Sequence, residues 1–594
     1  MADTMKGLKR THYCAKIEDS EIGKEVVVCG WVQKTRDLGN LVFIDLRDRT
    51  GIIQLAFDDT TDREVFQKAA AARAEYVLMA RGVVRGRESP NREIKTGNIE
   101  VLVKELRVLA KSQTPPFEIT DQTNVKEELR LRYRYLDLRR SEMQEAIMLR
   151  HRIVKCARDY YDDNGFLEIE TPVLIKSTPE GARDYLVPSR VHPGKFYALP
   201  QSPQLYKQLL MLSGFDRYMQ VARCFRDEDL RADRQPEFTQ IDLEMSFVDE
   251  DDVMTVNEGF MKRVFEEILN VQIKTPFPRM PYSEAMSRYG SDKPDTRFGL
   301  ELRDLTPLLH HCAFKVFAGA IEAGGSVRAI NVKGAASTLS RKEIDKLTDF
   351  VKTYRAKGLA FTRITEDGES SSYEKFLSEN EKVAIRAFLD AQVGDVILIV
   401  ADGNNQVVFD ALGALRVELA KRLGLIKKGT FNLLWVTDFP LFEYDEEEGR
   451  YVAKHHPFTS PKHEDLDRLE SDPGSCRARA YDMVLNGCEV GGGSIRINDP
   501  EIQNRMFHAL GFTDEQAQER FGFLLDAFKF GAPPHGGMAF GLDRLVMLLL
   551  EKESIRDVIA FPKVQTATEL MTMCPAEVEP KSLEELHIAV TEKE

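Results

Sequence analysis

The first 110 residues of the chain contain five short segments rich in β-branched and aromatic residues, and turn residues separate most of them. Such segments predict β-strands. They span residues 26–32, 41–46, 52–57, 76–80 and 99–103. Residues 62–75, after the third segment, are expected to form a helix. Five strands with a helix between the third and fourth is the arrangement of an OB-fold barrel, a common binder of single-stranded nucleic acid, although a barrel that serves only packing would have the same pattern.

The rest of the 594 residues is long enough for several more domains. A connector containing Pro115 and Pro116 follows the strand-rich part, and helical and strand-like patterns alternate after it. A capping box at residues 340–343 predicts the start of a helix. The predicted domains are residues 1–110 as the barrel, 111–140 as a hinge, 141–290 and 429–575 as two parts of a larger domain, 291–428 as an insertion between those parts, and 576–594 as an exposed acidic tail.

The composition is that of an ordinary globular protein, with 43% hydrophobic and 30% charged residues. No apolar run approaches the roughly eighteen residues of a spanning helix, and the N-terminus lacks a secretory signal, so we expect a cytoplasmic protein without a membrane partner. The eight cysteines include no C-x-x-C pair, which disfavours a zinc site and a disulfide framework. The net charge of −14 argues, taken alone, against a nucleic-acid partner. Residues 1–110, however, carry 19 Lys and Arg against 17 Asp and Glu, so the N-terminal part is slightly basic although the whole chain is acidic.

Four common motifs of nucleotide-binding and hydrolytic enzymes are missing from the sequence: G-x-x-x-x-G-K-[ST], G-x-G-x-x-G, G-x-S-x-G and H-E-x-x-H. Their absence disfavours a P-loop NTPase, a Rossmann dehydrogenase, an α/β-hydrolase and a zinc protease of the H-E-x-x-H type. Any nucleotide chemistry must therefore use another kind of site.

Residues 223–238 pack four Arg and five acidic residues between two strand-like stretches. A charge run of this kind often forms a solvated hairpin with weak surface ion pairs. Here the flanking stretches, residues 218–222 and 239–245, resemble an antiparallel pair, in which alternate Arg and Glu side chains would share one face. This placement favours a binding surface.

Two further segments combine glycines with charged side chains. In the first, Asp482 and Glu489 in neighbouring strand-like stretches could share a hard cation such as Mg²⁺, and three glycines before Arg496 would let a ligand approach the backbone. In the second, residues 536–547, a glycine-interrupted strand leads into an apolar helix with Arg544 in its first turn. A tight structural turn or ordinary strand–helix packing would also explain these patterns when each segment is taken alone.

Together these segments resemble the three signature motifs of class II aminoacyl-tRNA synthetases. Residues 225–228 match the F-R-x-E of motif 2, residues 541–544 match the G-[apolar]-x-R of motif 3, and the helix and strand before Pro172 resemble motif 1. The most specific further matches are residues 178–185, 201–204, 234–238 and 491–496. With the OB-fold and the insertion, the chain resembles the bacterial-type aspartyl-tRNA synthetases of subclass IIb over essentially its whole length. The resemblance implies an α/β multidomain fold: an N-terminal OB-fold β-barrel, a class II catalytic domain built on an antiparallel sheet, and an α/β insertion domain.

The same resemblance implies a reaction, the ATP-dependent ligation of L-aspartate to the 3′ end of tRNA-Asp through an aspartyl-adenylate, with pyrophosphate and AMP released. It implies ATP as a substrate, Mg²⁺ as a cofactor, and a homodimer formed through motif 1. Whether tRNA-Asn is also charged is left open. The alternatives are asparaginyl- and lysyl-tRNA synthetases, which the insertion and Arg496 disfavour, and a tRNA-binding module without charging activity, which would not need an ATP site.

Carried over residue by residue, the resemblance assigns Arg226 and Arg544 to catalysis at the phosphates, and Asp482 and Glu489 to Mg²⁺. The residues expected to bind aspartate are Glu180, Gln204, Lys207, Arg226, Asp242, His455, His456 and Arg496. The residues expected to bind ATP are Arg226, Asp227, Glu228, Gln235, Phe238, Glu489, Gly541, Leu542, Asp543 and Arg544. The residues expected to bind the anticodon are Arg36, Phe43, Gln54, Arg87 and Glu100. An aromatic residue in a barrel strand is more often part of the core, but Phe43 alternates with Asp45, which leaves its exposure open.

Overall fold

The computed structural model describes residues 2–177, 182–447 and 449–591. The chain divides into two compact units. One consists of Met1–Leu149 with Arg556–Glu577, and the other of Arg150–Ile555 with Val578–Glu594. Within the three described stretches, none of the helices combines the length and the apolar character that crossing a membrane would require.

Five strands of the first unit close into a barrel. They are β1 (Glu25–Asp37), β2 (Val42–Asp48), β3 (Gly51–Phe57), β4 (Val77–Gly86) and β5 (Ile99–Ala110). Their order around the barrel is β1-β2-β3-β5-β4, with β3 and β5 parallel and the other hydrogen-bonded neighbours antiparallel. Side chains such as Val28, Ile44 and Leu55 are fully buried in the barrel core. This topology confirms the predicted OB-fold.

One helix, α1 (Arg63–Ala70), connects β3 to β4, as the OB-fold requires. It is shorter than the predicted range of residues 62–75. Asp62 caps its N-terminus, because the carboxylate accepts from the backbone N–H groups of Glu64 and Val65. The chain leaves the helix well before Glu75, whose φ of 63° belongs to a turn rather than a helix.

Three helices follow the barrel: α2 (Glu127–Arg132), α3 (Arg134–Asp137) and α4 (Ser141–Asp163). Arg134 is buried and donates to three backbone carbonyls, those of Arg556, Ile559 and Ala560. Its third nitrogen donates to Asp137 at 2.6 Å. These bonds fasten the C-terminal segment of the first unit to α3.

The described residues of the second unit form two larger sheets and two hairpins. Its strands are β6 (Leu167–Glu168), β7 (Leu186–Pro188), β8 (Phe196–Ala198), β9 (Arg217–Phe225), β10 (Glu237–Ser246), β11 (Arg279–Pro281), β12 (Arg303–Asp304), β13 (Ser326–Val332), β14 (Ala360–Thr365), β15 (Gly368–Ser371), β16 (Val396–Asp402), β17 (Leu433–Thr437), β18 (Phe442–Asp445), β19 (Arg450–Ala453), β20 (Ala480–Leu485), β21 (Cys488–Ile495) and β22 (His535–Gly541). Its further helices are α5 (Gln204–Leu212), α6 (Glu250–Val264), α7 (Tyr282–Tyr289), α8 (Lys315–Glu322), α9 (Arg341–Lys352), α10 (Glu379–Leu389), α11 (Asn405–Arg422), α12 (Pro500–Ala509), α13 (Asp514–Phe528), α14 (Leu542–Leu549) and α15 (Pro580–Glu585). Among the described residues of both units, the short 3₁₀ turns are Cys14–Lys16, Asp19–Glu21, Thr306–Leu308, Glu374–Phe376, His463–Arg468, Pro473–Ser475 and Ile555–Asp557, and Phe265–Leu269 is a π-helical turn.

Eight strands form the main sheet, in the order β11-β17-β20-β21-β22-β10-β9-β6. The six central strands are antiparallel, and the edge strands β11 and β6 run parallel to their neighbours. The antiparallel catalytic sheet implied by the resemblance is thereby confirmed. β9 and β10 pair from Phe225 opposite Glu237 to Arg217 opposite Met245, so the charged residues between them form a hairpin loop.

The predicted insertion has a sheet of its own, in the order β12-β13-β16-β14-β15. The predicted capping box is also observed in part, because the side chain of Ser340 accepts from the backbone N–H of Glu343 at the start of α9. Ile344, Leu347 and Val351 of this helix are fully buried against the sheet. The domain boundaries at residues 291 and 428 remain predictions.

Candidate active site

A cavity of about 420 Å³ is lined by residues of β10, β20, β21, β22 and the first turn of α14. It brings together most of the residues predicted to bind aspartate, ATP and Mg²⁺. These are Gln204, Lys207, Arg226, Glu228, Gln235, Phe238, Asp242, His455, His456, Asp482, Glu489, Arg496, Gly541, Asp543 and Arg544.

Two predicted residues have other positions, and a third is not among the described residues. Asp227 pairs with Arg183: its backbone N–H donates to the Arg183 carbonyl at 3.0 Å, and its carboxylate lies 3.5 Å from Arg183 Nε. Leu542 is buried in the first turn of α14 and is not part of the cavity lining formed by the described residues. Glu180 lies outside the residues that the structure describes. The roles assigned to these three residues, like those of the residues that line the cavity, stay predictions.

The β9–β10 hairpin organises the first charged segment around the cavity. The backbone N–H of Arg226 donates to the carbonyl of Pro236 at 2.9 Å, which continues the strand pairing into the loop. The guanidinium carbon of Arg226 lies 5.0 Å from the centre of the Phe238 ring, within cation–π range. Arg234 donates from Nη1 to Glu228 Oε2 at 2.7 Å. The segment is therefore more than a solvated loop with surface ion pairs.

Two cations and two carboxylates form a buried cluster in the wall of the cavity. Lys207 Nζ donates to Asp242 Oδ1 at 2.6 Å and lies 3.4 Å from Glu244 Oε2. Arg496 donates from Nε and Nη2 to the two carboxylate oxygens of Glu244, at 2.9 and 3.0 Å. Each of the four residues is at most 3% exposed. Their formal charges cancel, so burial of the cluster does not leave an unpaired ion.

Glu244 is a functional candidate that sequence reasoning missed. Gln240, Asp242 and Glu244 alternate along β10 and therefore place three polar side chains on one face of a strand in the middle of the main sheet. A buried acidic side chain at such a position needs a cationic partner. The alternation was visible in the sequence, but the partner was not, because Arg496 lies 252 positions further along the chain.

The pKa values in the cluster follow from burial and from these pairings. Burial raises the pKa of Asp242 above its ordinary value, and Lys207 opposes only part of that rise. Burial acts in the same direction on Glu244, but Arg496 and Lys207 outweigh it, so the pKa of Glu244 lies below its ordinary value. Burial alone would lower the pKa of Arg496, yet Glu244 more than compensates and the pKa is raised. Arg496 and Glu244 therefore remain an ionised pair at neutral pH.

His455 and His456 lie beside the cluster and are neutral at pH 7. Burial, together with the charges of Lys454 and Arg496, lowers the pKa of His455 to about 4. Burial and the charge of Arg496 lower the pKa of His456 well below its ordinary value. Because a guanidinium can only donate, His456 Nε2 accepts the hydrogen bond from Arg496 Nη1 at 2.9 Å. Neutral His456 thus helps to orient the guanidinium.

The two carboxylates predicted to bind Mg²⁺ both approach the backbone of Gly492. A Cβ atom on Gly492 would lie 2.5 Å from Asp482 Oδ1 and 3.4 Å from Glu489 Oε1, so only glycine leaves this space open. Burial raises the pKa of Asp482 well above its ordinary value, and the negative charges of Glu489 and Asp292 add to the rise. A divalent cation would offset this repulsion, and carboxylate oxygens are the ligands that Mg²⁺ prefers. The residues therefore fit a Mg²⁺ ion.

The protein would contribute few ligands to such a Mg²⁺ site. In the described stretches, no group of three or more His, Cys, Asp or Glu side chains has the arrangement of a metal site. Mg²⁺ is commonly held by one or two carboxylates, with water and substrate phosphate completing its coordination. Two carboxylates are thus sufficient for an ion that arrives with a nucleotide.

Arg544 lies at the start of α14 between two acidic side chains. Its Nη2 is 3.3 Å from Asp233 Oδ2 in the β9–β10 loop, and its Nη1 is 3.7 Å from Glu489 Oε2. These contacts are loose, and the Arg544 side chain is 26% exposed. A phosphate group can accept two charge-assisted hydrogen bonds from one guanidinium, so a polyphosphate would compete well for this side chain.

Four buried polar atoms on the cavity lining lack a hydrogen-bond partner in the part of the chain that the structure describes. They are Gln204 Nε2, Arg226 Nε, Asp242 Oδ2 and His455 Nε2. A buried polar atom without a partner costs about 1–3 kcal/mol. A ligand that hydrogen-bonds to these atoms would recover that free energy, so the cavity is suited to a polar ligand.

The five residues predicted to bind the anticodon share one surface of the barrel in the first unit. Gln54 Oε1 accepts from Arg36 Nη2 at 2.8 Å and from Arg87 Nη2 at 2.9 Å, and Gln54 Nε2 donates to Glu100 Oε2 at 2.6 Å. The guanidinium carbon of Arg36 lies 5.6 Å from the centre of the Phe43 ring, which is partly exposed. Nε of Arg36 and of Arg87 lacks a partner among the described atoms. A partly exposed ring next to a group of hydrogen-bonding side chains suits the stacking and hydrogen bonding of an unpaired base.

Comparison with known proteins identifies two families of similar sequence. Residues 126–565 match the family model described as tRNA synthetases class II (D, K and N), and residues 26–109 match the model described as OB-fold nucleic acid binding domain. The aspartate–tRNA ligase of Ruminiclostridium cellulolyticum is 62% identical over the full length of both chains. The aspartate–tRNA(Asp/Asn) ligase of Symbiobacterium thermophilum is 60% identical over 98% of this chain and all of the relative.

Solved structures with the same fold are more distant in sequence. Asparaginyl-tRNA synthetase from Pyrococcus horikoshii, complexed with asparaginyl-adenylate, superposes with a TM-score of 0.59 at 20% identity, over 96% of this chain and all of that chain. Aspartyl-tRNA synthetase from Entamoeba histolytica gives a TM-score of 0.57 at 20% identity, over 94% of this chain and 92% of that chain. At these identities the similarity shows the fold alone.

Proposed function

Because the chain belongs to the class II tRNA synthetases of the D, K and N group, we propose that it ligates L-aspartate to tRNA at the expense of ATP. Aspartate and ATP first give aspartyl-adenylate and pyrophosphate, and the 3′ end of the tRNA then attacks the adenylate and releases AMP. The observation that carries the proposal is that one cavity combines a buried cluster containing Lys207 and Arg496 with Arg226, Phe238 and Arg544. The first group suits a small acidic substrate, and the second suits a nucleotide.

The first step needs no general base, because the α-carboxylate of aspartate is already a nucleophile. It needs alignment of that carboxylate with the α-phosphorus and neutralisation of the charge that builds up on the phosphates. Arg226, whose Nε is unpaired in the described structure, would contact the α-phosphate and the carboxylate. Arg544 would contact the γ-phosphate. Phe238 would stack on the adenine, and the Glu228 carboxylate would accept a hydrogen bond from the adenine amino group.

Asp482 and Glu489 would hold Mg²⁺, which when bound supplies charge neutralisation at the phosphates. Burial and the charge of Glu489 both raise the pKa of Asp482, and a divalent cation would relieve the repulsion between the two carboxylates, which supports the assignment. Gly492 supports it as well, since any larger residue would occupy the space beside both carboxylates.

Arg496 and Lys207 account for the choice of an acid over its amide. A carboxylate accepts from both cations, whereas the amide of asparagine would direct its own NH₂ donor at one of them. A buried cation that faces a donor loses its hydrogen bond, which strongly disfavours the wrong substrate. Glu244 supports this arrangement because it holds the guanidinium in one orientation.

Aspartate-dependent ATP–pyrophosphate exchange is the direct test of the proposal. We expect exchange with aspartate and none with asparagine or lysine. Exchange with asparagine or lysine instead would assign the chain to one of the sister enzymes. Failure of all three amino acids, with tRNA binding retained, would favour a binding module without charging activity.

We also propose that the barrel surface around Phe43 and Gln54 binds the anticodon of tRNA-Asp. The hydrogen-bonding groups and the partly exposed ring support this role. The named relatives include both aspartate–tRNA and aspartate–tRNA(Asp/Asn) ligases, so tRNA-Asn is a second candidate substrate. Charging assays with the two tRNAs in parallel decide whether the protein charges tRNA-Asp alone or both tRNA-Asp and tRNA-Asn.

A homodimer in the cytoplasm is the assembly and location that the family resemblance implies for this activity. Three apolar residues of the motif 1 region support an interface, since Leu167, Val173 and Leu174 are 50%, 47% and 52% exposed. A patch of exposed apolar side chains commonly marks a contact surface. Sedimentation at micromolar concentration should give twice the mass of the chain, and a monomer would contradict the proposed assembly.

A further inference from the structure

Asp543 immediately precedes Arg544 in the first turn of α14, and both of its carboxylate oxygens already have protein partners. Arg150 of α4 donates from Nη1 to Oδ1, in a short ion pair whose side chains are 17% and 5% exposed. The backbone N–H of Thr239 in β10 donates to Oδ2 at 3.1 Å. Asp543 therefore binds α4 and β10 at the same time.

These two bonds set the relative position of the two groups expected to enclose the adenine. Thr239 directly follows Phe238 in β10, so its hydrogen bond ties the strand that carries the ring to the turn that carries Arg544. Arg150 then anchors the same carboxylate to α4, a helix of 23 residues. The spacing between Phe238 and Arg544 thus depends on an ion pair that contacts neither of them.

The sequence predicts that Asp543 binds ATP, but its contacts in the structure favour a different role. A carboxylate would repel the phosphates of ATP, and this one is directed at a guanidinium and a backbone N–H. A negative charge in the first turn also favours the helix, because the N-terminal end of the helix dipole is positive. Both observations are consistent with a carboxylate that holds α14 in place.

We infer that Asp543 and Arg150 are positioning residues for ATP, acting through Arg544 and Phe238, and that Arg150 is a determinant of ATP affinity. The inference rests on the proposed function for the identity of the nucleotide. A purely structural ion pair would have the same geometry, but its loss would lower stability without a selective change in ATP affinity.

The experiment compares four variants of the full chain with the wild type: Arg150→Met, Asp543→Asn, the double variant, and Arg150→Lys. ATP affinity is measured by calorimetry, and the KM values for ATP and aspartate are measured by pyrophosphate exchange. Asp543→Asn retains an acceptor for the Thr239 N–H, and Arg150→Lys retains the charge. The matched control is Lys155→Met, which removes the exposed ion pair with Asp159 on the same helix.

We expect Arg150→Met and Asp543→Asn each to weaken ATP binding about tenfold, the scale of one charge-assisted hydrogen bond. The double variant should be no weaker than either single variant, because both changes remove the same interaction. Arg150→Lys should recover part of the affinity. The KM for aspartate and all parameters of the Lys155→Met variant should stay within about twofold, a change too small to reflect a lost hydrogen bond.

Unchanged ATP affinity in the folded variants would overturn the inference, as would fully additive losses in the double variant. A lowered melting temperature with equal losses for ATP and aspartate would show a structural role only. If the wild type binds ATP and the variants bind it more weakly, but aspartate supports no exchange, the proposed function fails and the positioning role stands. A wild type that does not bind ATP would overturn both.

Discussion

Arg496 and Glu244 form a buried ion pair with two hydrogen bonds, in which Nε and Nη2 of the arginine donate to the two carboxylate oxygens at 2.9 and 3.0 Å. Nη1 of the same guanidinium donates to His456 Nε2 at 2.9 Å and to Ser494 Oγ at 2.5 Å. With so many bonds to the protein, the orientation of Arg496 is determined before any substrate arrives. Preorganised donors of this kind bind a charged group without the cost of ordering it at that moment.

Arg496→Lys should therefore weaken aspartate binding although it keeps the positive charge. A lysine ammonium cannot make two parallel bonds to Glu244 and also reach His456 and the substrate. We expect the KM for aspartate in pyrophosphate exchange to rise about tenfold to a hundredfold, which corresponds to one or two lost charge-assisted hydrogen bonds. The KM for ATP should change little, because the nucleotide contacts proposed here do not include Arg496.

A matched control for this variant is Arg505→Lys. Arg505 also makes two bonds to one carboxylate, those of Nε and Nη2 to Glu470 at 2.6 and 2.8 Å, but this pair lies at the surface. Exposed ion pairs contribute about 0–1 kcal/mol, so this variant should behave as the wild type. An Arg496→Lys enzyme with a normal KM for aspartate would remove Arg496 from the proposed substrate site.

His455 gives a prediction for the dependence of stability on pH. Its pKa of about 4 in the folded protein lies below the ordinary value of about 6.5 in an unfolded chain. Between these two values the unfolded state binds a proton that the folded state does not, so stability falls as the pH decreases from about 6.5 towards 4 and is unaffected above that window. The contribution of His455 over the window is up to roughly 3 kcal/mol.

The His455→Gln variant should therefore lose less thermal stability than the wild type between pH 7.5 and pH 5. Carboxylates that titrate in the same range contribute equally to both proteins, so the comparison isolates the histidine. His508→Gln is the control, since His508 is exposed and its ion pair with Asp514 lies at the surface. Equal losses for wild type and His455→Gln would mean that His455 is not held neutral by burial.

The sequence predicted the parts of the fold and the site that depend on local pattern. The five barrel strands and the β9–β10 hairpin were recognisable because alternation, turn residues and charge density are local properties. Glu244 was missed, and the anchor of Asp543 could not be predicted, because their partners lie 252 and 393 positions away. Which buried carboxylate meets which cation depends on strand register and helix packing, and neither property is encoded within a short window.

Asp482→Asn should separate the metal role of this residue from its contribution to the fold. Burial and the charge of Glu489 raise the pKa of Asp482, so a neutral side chain of the same shape removes an unfavourable charge. We expect the variant to have a higher melting temperature than the wild type in EDTA. In pyrophosphate exchange it should need a higher Mg²⁺ concentration for half-maximal rate, because one carboxylate ligand is lost.

The two readouts together make this test specific. A variant that is less stable in EDTA would show that Asp482 is stabilised by a protein partner rather than destabilised by repulsion. A variant with an unchanged Mg²⁺ requirement would show that the ion is held elsewhere. The control is Asp467→Asn, which changes an acidic side chain away from the cavity lining. Asp499→Asn is unsuitable, because Asp499 caps α12.

Phe43→Ala tests whether the barrel contributes to recognition of tRNA. The cavity belongs to the second unit and Phe43 to the first, so we expect aspartate-dependent pyrophosphate exchange to be unchanged. Stacking of a base on an aromatic ring contributes about 1–3 kcal/mol, so the KM for tRNA in the charging reaction should rise roughly tenfold. The control is Phe530→Ala, which removes a ring that is 90% exposed in the second unit. A parallel loss of exchange and charging in Phe43→Ala would show that the ring supports the folded structure, and unchanged charging kinetics would remove this barrel surface from the proposed tRNA contact.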